Sequence, residues 1–231
     1  MPIKNIYIKG NNIIPDSEII TLAKLNDKSS FILTNNYTIN KNLKKKVYIK
    51  RATIKKKFWG KLYINIEEYK IICSTNEDKI ILANGKTLDN TYIITDIPRL
   101  INNIEDKEIQ EKFINKFDKI NSNILRQISQ IEYSPVDVDN ERFLLYMDNG
   151  NLVYVTLTRI ERLNKYNEIV ESMNGNYGII YLDSGNYIEL KDNTEVIDAN
   201  DIDNNATDTT TTVTDNNVEE NNENINTDDN E

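Results

Sequence analysis

The chain of 231 residues contains no histidine. Without an imidazole, Ser-His and Cys-His nucleophilic pairs are impossible, and the commonest general base at neutral pH is missing. Carboxylates are the remaining candidates for acid–base work. Glu67 and Glu68 are neighbours in a run that alternates apolar and polar residues, so they point to opposite faces and cannot act as a pair. Gly85, Gly150 and Gly185 stand singly in turns, and no phosphate-cradling glycine loop exists. Asp198, Asp201 and Asp203 have the outline of a calcium loop, but they lack the glycine at its sharp turn and the closing glutamate. They read as a solvated acidic tail. Cys73 is the single cysteine, set in Ile71-Ile72-Cys73, and reads as a small buried hydrophobe. No catalytic residue, metal ligand or cofactor is expected, so the chemistry left to this chain is binding.

Charge is distributed unevenly. The formal net charge of −9 divides into +10 over residues 1–70, −7 over 71–190 and −12 over 191–231. The basic set Lys44, Lys45, Lys46, Lys50, Arg51, Lys55, Lys56 and Lys57 is the densest run of one sign within the first segment. A solvated face is its ordinary meaning. Nucleic acid is not expected, because aromatic residues are sparse among these lysines and the whole chain is acidic. Contact with an anionic membrane surface fits better, at roughly 1 kcal/mol per basic residue near the headgroups.

The elements that would carry these groups can be read in order. Ile3, Ile6 and Ile8 around Tyr7 form a strand that ends at Gly10-Asn11, and Pro15-Asp16-Ser17 starts a helix over Glu18–Leu25. A second helix has Ile39, Leu43 and Val47 at four-residue spacing. Alternation resumes at Ala52 and Ile54, and again at Leu62, Ile64 and Ile66, on either side of the turn Phe58-Trp59-Gly60-Lys61.

Beyond residue 70, Ile80-Ile81-Leu82 enters the turn Asn84-Gly85. A helix from Glu105 aligns Ile109, Phe113, Phe117, Ile120 and Ile124 on one face. Ile128–Tyr133 is a strand, and Phe143–Met147 pairs with Leu152–Leu157 around Asp148-Asn149-Gly150-Asn151. A last helix begins near Arg159 with Ile160, Leu163, Tyr166, Val170 and Met173, and Asn174-Gly175 ends it. Strands Ile179–Leu182 and Tyr187–Leu190 close the folded part around Asp183-Ser184-Gly185. The pattern predicts an α+β fold, with an antiparallel sheet carrying helices on one face. From Lys191 the composition is Asp, Asn, Glu and Thr, which predicts disorder over 191–231.

The last strand of the folded part is the best binding candidate. At a sheet edge it would offer unpaired N–H and C=O groups to an incoming strand. It could equally be an ordinary edge protected by the tail or by Glu189. The residues alone do not separate these two readings.

The β-α-α-β-β order of the first seventy residues resembles a POTRA domain. The stretches Ile64-Asn65-Ile66-Glu67-Glu68-Tyr69-Lys70, Leu82-Ala83-Asn84-Gly85, Ile97-Pro98-Arg99-Leu100, Ile128-Ser129-Gln130-Ile131, Met147-Asp148-Asn149-Gly150 and Tyr181-Leu182-Asp183-Ser184-Gly185 follow in the order found in the bacterial cell-division family FtsQ/DivIB. Trp59 and Ile71 stand where that family often has proline. The resemblance implies a POTRA domain over 1–70, a larger antiparallel β domain with flanking helices over 71–190, and an acidic tail over 191–231. It implies a non-enzymatic scaffold of septum formation on the extracytoplasmic face of the cell membrane. The family is normally anchored by an apolar helix just before this domain, so either such a segment precedes Pro2 in the native gene or the chain is a soluble relative.

In that family the last strand receives a strand from an FtsB/DivIC-like protein paired with an FtsL-like protein. The matching positions here are Leu182, Asp183, Ser184, Gly185, Asn186, Tyr187, Ile188, Glu189 and Leu190. Tyr181 replaces a basic residue and Leu190 a tryptophan of the Gram-negative branch. The alternative function is a POTRA-containing transport or outer-membrane assembly factor that binds client polypeptides. Such proteins usually carry tandem POTRA units and a barrel, which the acidic end disfavours.

Overall fold

A computed structural model describes residues 2–26 and 29–191, together with the backbone of a strand at 196–198. The fold is α+β, with a small N-terminal β-α-α-β-β unit and a larger sheet. Strand β1 (Asn5–Lys9) leads to helices α1 (Asp16–Leu22) and α2 (Asn36–Leu43), then to the hairpin β2 (Ile49–Lys57) and β3 (Lys61–Glu68). The sheet order is β1-β3-β2. β1 runs parallel to β3 because the two helices carry the chain back across one face before β2 begins. Ile19, Ile39, Leu43, Leu62 and Ile64 fill the layer between helices and sheet. Val47 lies outside α2 and is exposed, and Tyr48 takes the buried place the four-residue spacing assigned to Val47.

Gly10 closes β1 at a position where φ is +84° and an added Cβ would run into the Ile66 carbonyl oxygen, so only glycine fits. The following loop is tied down by Glu68. Its carboxylate accepts from the amides of Asn12, Ile13 and Ile14 at 2.8, 2.9 and 2.9 Å. Glu67 points the other way to Lys50 and Arg51, as strand alternation requires.

The second sheet contains β4 (Ile71–Thr75), β5 (Lys79–Leu82), β6 (Thr87–Asp89), β7 (Arg99–Leu100), β8 (Ile128–Tyr133), β9 (Arg142–Met147), β10 (Leu152–Thr156), β11 (Gly178–Tyr181), β12 (Tyr187–Leu190) and β13 (Val196–Asp198). Their spatial order is β13-β12-β11-β10-β9-β8-β7-β4-β5-β6. Most neighbours are antiparallel, but β4–β7, β7–β8 and β10–β11 are parallel. The last two joins are made by crossovers containing helices, which return the chain in its original direction.

Helices α3 (Lys107–Phe117) and α4 (Ser122–Leu125) lie on one face with a 3-10 turn (Ile160–Lys165) and α5 (Tyr166–Ser172). Phe113, Phe117 and Phe143 form the aromatic centre beneath them, with ring centroids 4.4 to 6.2 Å apart. The single helix expected up to Ile124 is broken after Phe117. Lys70 caps the break by donating to the carbonyls of Phe117, at 3.1 Å, Asp118 and Ile120. Burial holds the Lys70 ammonium below its ordinary pKa, against the charge of Asp118.

Strands β4 and β5 face both cores. Ile71, Ile80 and Leu82 pack with the first-domain residues, whereas Ile72, Cys73 and Ile81 pack into the second. Strand alternation explains β5. In β4 a register shift between Ile71 and Cys73 turns consecutive side chains to the same side.

Candidate functional site

The site expected from sequence is the β11–β12 hairpin, and its register is set from below. Asn151 is 1% exposed and connects three elements. Its side chain donates to the Tyr166 hydroxyl at 3.0 Å on α5 and accepts from the Gly178 amide at 2.8 Å on β11. The Tyr166 hydroxyl donates to Asn149 Oδ1 at 2.7 Å, and burial raises its pKa against the lowering effect of these two asparagines. At Gly178 an added Cβ would run into the Glu189 carbonyl oxygen and lie 3.0 Å from the Leu190 Cα, so β12 rests directly on this glycine.

Three arginines hold the turn at its other end. Arg142 on β9 pairs with Asp183 at 2.7 Å, and both side chains are largely buried. Its guanidinium lies 3.8 Å from the centroid of the Tyr154 ring, an Arg–aromatic stack. Arg159 donates to the Asp183 carbonyl at 3.1 Å, and Arg162 donates to Asn186 Oδ1. Asp183 Oδ1 accepts from the Ser184 amide at 2.8 Å, which fixes the first bend of the turn. None of these arginines carries a local sequence signal for this role. They lie on separate elements, and only the fold brings them together.

Outside the helix-covered face, Tyr154, Tyr181 and Tyr187 stack in a ladder across β10, β11 and β12, with centroids 5.3 and 4.3 Å apart. The Tyr181 hydroxyl reaches Glu189 at 3.3 Å. Burial, followed by Glu189, raises the Tyr181 pKa. Further along this face, Tyr146 donates to Glu132 at 2.7 Å. That bond, then burial, pushes the Tyr146 pKa up to about 12.

The nine sequence-matched positions separate by orientation. Leu182, Ile188 and Leu190 are core residues, and Asp183 is engaged with Arg142. Ser184, Gly185, Asn186, Tyr187 and Glu189 remain on the turn and outer face, with Asn186 held by Arg162.

The expected unpaired margin is corrected here. β12 has β11 on one side and β13 on the other, with Tyr187 opposite Asp198, Ile188 opposite Ile197 and Glu189 opposite Val196. The tail expected to be disordered from Lys191 thus contributes a strand, and the protected-edge reading describes this structure. Val196-Ile197 is the signal in the tail: two adjacent β-branched residues in an otherwise polar stretch. Asp201 and Asp203 lie outside the described residues, as does the side chain of Asp198.

Backbone alternation identifies the groups β13 covers. Lys191 N–H donates to the Tyr177 carbonyl at 3.1 Å, so residues 187, 189 and 191 bond toward β11. The N–H and C=O of Ile188 and Leu190 therefore face outward, toward the position β13 occupies.

The basic set does not form one face. Lys46 pairs with Glu18 at 2.7 Å and lies 5.2 Å from the Tyr92 ring centroid. Lys50 and Arg51 meet Glu67, and Lys56 turns inward to carbonyls of the α1–α2 loop. Cys73 is buried, and burial raises its pKa to about 12, as a core thiol requires. Among the described residues no cluster of acidic or thiol side chains is suited to a metal ion. No helix there is long and apolar enough to cross a membrane.

Comparison with known proteins gives these observations a context. Residues 1–69 match the family model described as POTRA domain, FtsQ-type. Over 193 residues the chain is 28% identical to cell division protein DivIB of Bacillus subtilis (strain 168), covering 81% of this chain and 73% of the relative. It is 30% identical to the Bacillus anthracis protein of the same name, also over 193 residues, covering 80% and 72%. A solved structure of the major extracytoplasmic domain of DivIB from Geobacillus stearothermophilus aligns at 22% identity with a TM-score of 0.38, over 47% of this chain and 96% of that one.

Proposed function

Because the chain belongs to the DivIB family of cell-division proteins, we propose that it is a non-enzymatic scaffold of the division machinery whose second domain binds a partner by strand addition along β12. The partners are an FtsB/DivIC-like protein and its FtsL-like companion, met on the extracytoplasmic face of the cell membrane at the septum. In this reading residues 1–70 form the POTRA domain and 71–190 the partner-binding β domain.

The supporting observation is the occupancy of the β12 edge. β13 contributes three paired residues there, one fewer than the four that join β12 to β11. A three-residue strand makes few ladder hydrogen bonds, each with a net value of about 1 kcal/mol. A longer incoming strand can therefore displace it and bond to Ile188 and Leu190. The tyrosine ladder supplies a rigid surface on which side chains of that strand can rest.

Amide hydrogen exchange on the full chain, with and without a partner peptide, tests this reading. In a variant ending at Lys191 the Ile188 and Leu190 amides are expected to exchange quickly, then become protected when the peptide binds. The truncated chain should bind more tightly than the full one. Protection confined to another edge, such as β6 or β2, would refute the proposal.

A further inference from the structure

At the far end of the POTRA domain, four large apolar side chains stand in solvent. Phe58 and Trp59 occupy the β2–β3 turn and are 89% and 76% exposed, and Ile32 and Leu33 occupy the α1–α2 loop at 72% and 83%. The two loops are held together. Lys56, next to the turn, donates to the Phe31 carbonyl at 2.7 Å and to that of Thr34, with its ammonium 5.3 Å from the Phe31 ring centroid. Between the loops, Ile3 N–H donates to the Ser29 carbonyl at 3.0 Å and Lys4 N–H to that of Gly60 at 2.9 Å. The apolar side chains are thus presented together by a braced backbone.

Folding does not account for this composition. Trp59 sits at φ +68°, where a bulky side chain costs of order 1 kcal/mol or more and Asn or Gly would fit without strain. Its ring gains little from burial to offset that cost. Lys57 and Lys61 flank the turn in sequence, and Lys4 is joined to it through its amide hydrogen bond to Gly60. Residues 29–66 contain ten lysines and arginines and no Asp or Glu, and residues 2–10 add Lys4 and Lys9 with no acid. Beside the tip, Lys57 lies over the Tyr63 ring at 4.9 Å, and Tyr63 stacks on Tyr7 at 4.7 Å.

We infer that this tip is a membrane-docking surface: Phe58, Trp59, Ile32 and Leu33 enter the headgroup region of an anionic bilayer, while Lys4, Lys57 and Lys61 meet its phosphates. Trp and Tyr at the polar–apolar boundary, flanked by lysine, are the side chains that region favours. Lysine attraction brings the tip to the surface, and apolar burial holds it there. Highly exposed side chains on two loop tips form a protrusion rather than the groove or open strand edge a protein segment would occupy. The inference is independent of strand addition at β12.

Trp59 is the single tryptophan of the chain, so its fluorescence reports on the tip alone. The full chain is mixed with vesicles of phosphatidylcholine, or of phosphatidylcholine and phosphatidylglycerol in equal parts. Emission should move to shorter wavelength, and brominated lipid should quench it, only with the anionic vesicles. Rising salt should weaken the effect. The double variant Phe58→Ser, Leu33→Ser keeps the reporter and alters exposed positions, so circular dichroism should be unchanged. Its vesicle partitioning is expected to fall about tenfold or more. Quenching of the unaltered protein decides the matter without any variant. Co-sedimentation without an emission change would leave a headgroup contact and overturn the insertion. So would an emission change caused only by a protein partner, or no binding at all.

Discussion

Arg142 on β9 and Asp183 at the head of the β11–β12 turn are joined across β10 by an Nε–Oδ2 contact of 2.7 Å, and the Tyr154 ring lies under the guanidinium. The pair sets where the last hairpin begins. Replacing one partner leaves the other charge largely buried without its counter-ion, which costs more than the pair itself contributes. Asp183→Ala is therefore expected to lower unfolding free energy by about 2 kcal/mol in urea titration. Under the proposed strand addition it should also weaken partner binding, because the Ser184 amide loses its side-chain acceptor.

Gly178→Ala places a methyl group against the backbone of Glu189 and Leu190. No side chain is available to yield, so β12 itself must move. We expect about 1–3 kcal/mol of destabilisation, the range for overpacking. Amide exchange should rise at Tyr187 and Glu189 more than at Val153 or Leu145. Uniform acceleration throughout the second sheet would contradict this account.

Asn151→Leu tests the junction of β10, β11 and α5. The substitution removes the acceptor for the Gly178 amide and the donor to Tyr166. Leaving the buried Gly178 amide without this acceptor costs about 1–3 kcal/mol. Tyr166→Phe in the Asn151→Leu background should cost further stability, because Tyr166 still donates to Asn149 Oδ1, and the double-mutant cycle measures the Asn151–Tyr166 coupling.

Stability should fall in acid partly through Glu18. The hydrogen bond from Lys46 holds its carboxyl below the ordinary value of 4.5, against opposing burial, and the Tyr92 hydroxyl and the Lys46 charge assist. A depressed carboxyl contributes its full stabilisation above the unfolded pKa and loses it as pH falls through the folded one. The difference in unfolding free energy between the parent and Glu18→Gln should therefore be constant above about pH 5 and shrink below about pH 4.5. Because Tyr92 follows β6 of the second sheet and packs against the first core, the effect should appear in a transition reporting on both sheets.

Much of the fold follows from short-range patterns. Alternation at Leu62, Ile64 and Ile66, and the turns at Gly85 and Gly150, mark strands because one buried face imposes a period of two. Val47 misled because four-residue spacing continues past the point where Lys44 caps α2. The break after Phe117 depends on Lys70, distant in sequence, and leaves no local mark beyond polar residues. The arginines around Asp183 share no spacing, and their convergence is a property of tertiary structure. β13 was hidden by composition: Val196 and Ile197 are outnumbered by acids and asparagines, although backbone pairing with Tyr187–Glu189 does not depend on side-chain polarity.

Strands β4 and β5 turn Ile71, Ile80 and Leu82 toward one core and Ile72, Cys73 and Ile81 toward the other. A wall common to both cores ties them together along two strands, which resists bending between them. Ten strands at about 4.8 Å each extend the second sheet roughly 40 Å, from β6 beside the POTRA helices to β13 at the far border. If strand addition occurs as proposed, this span sets how far from the first domain the last strands are offered.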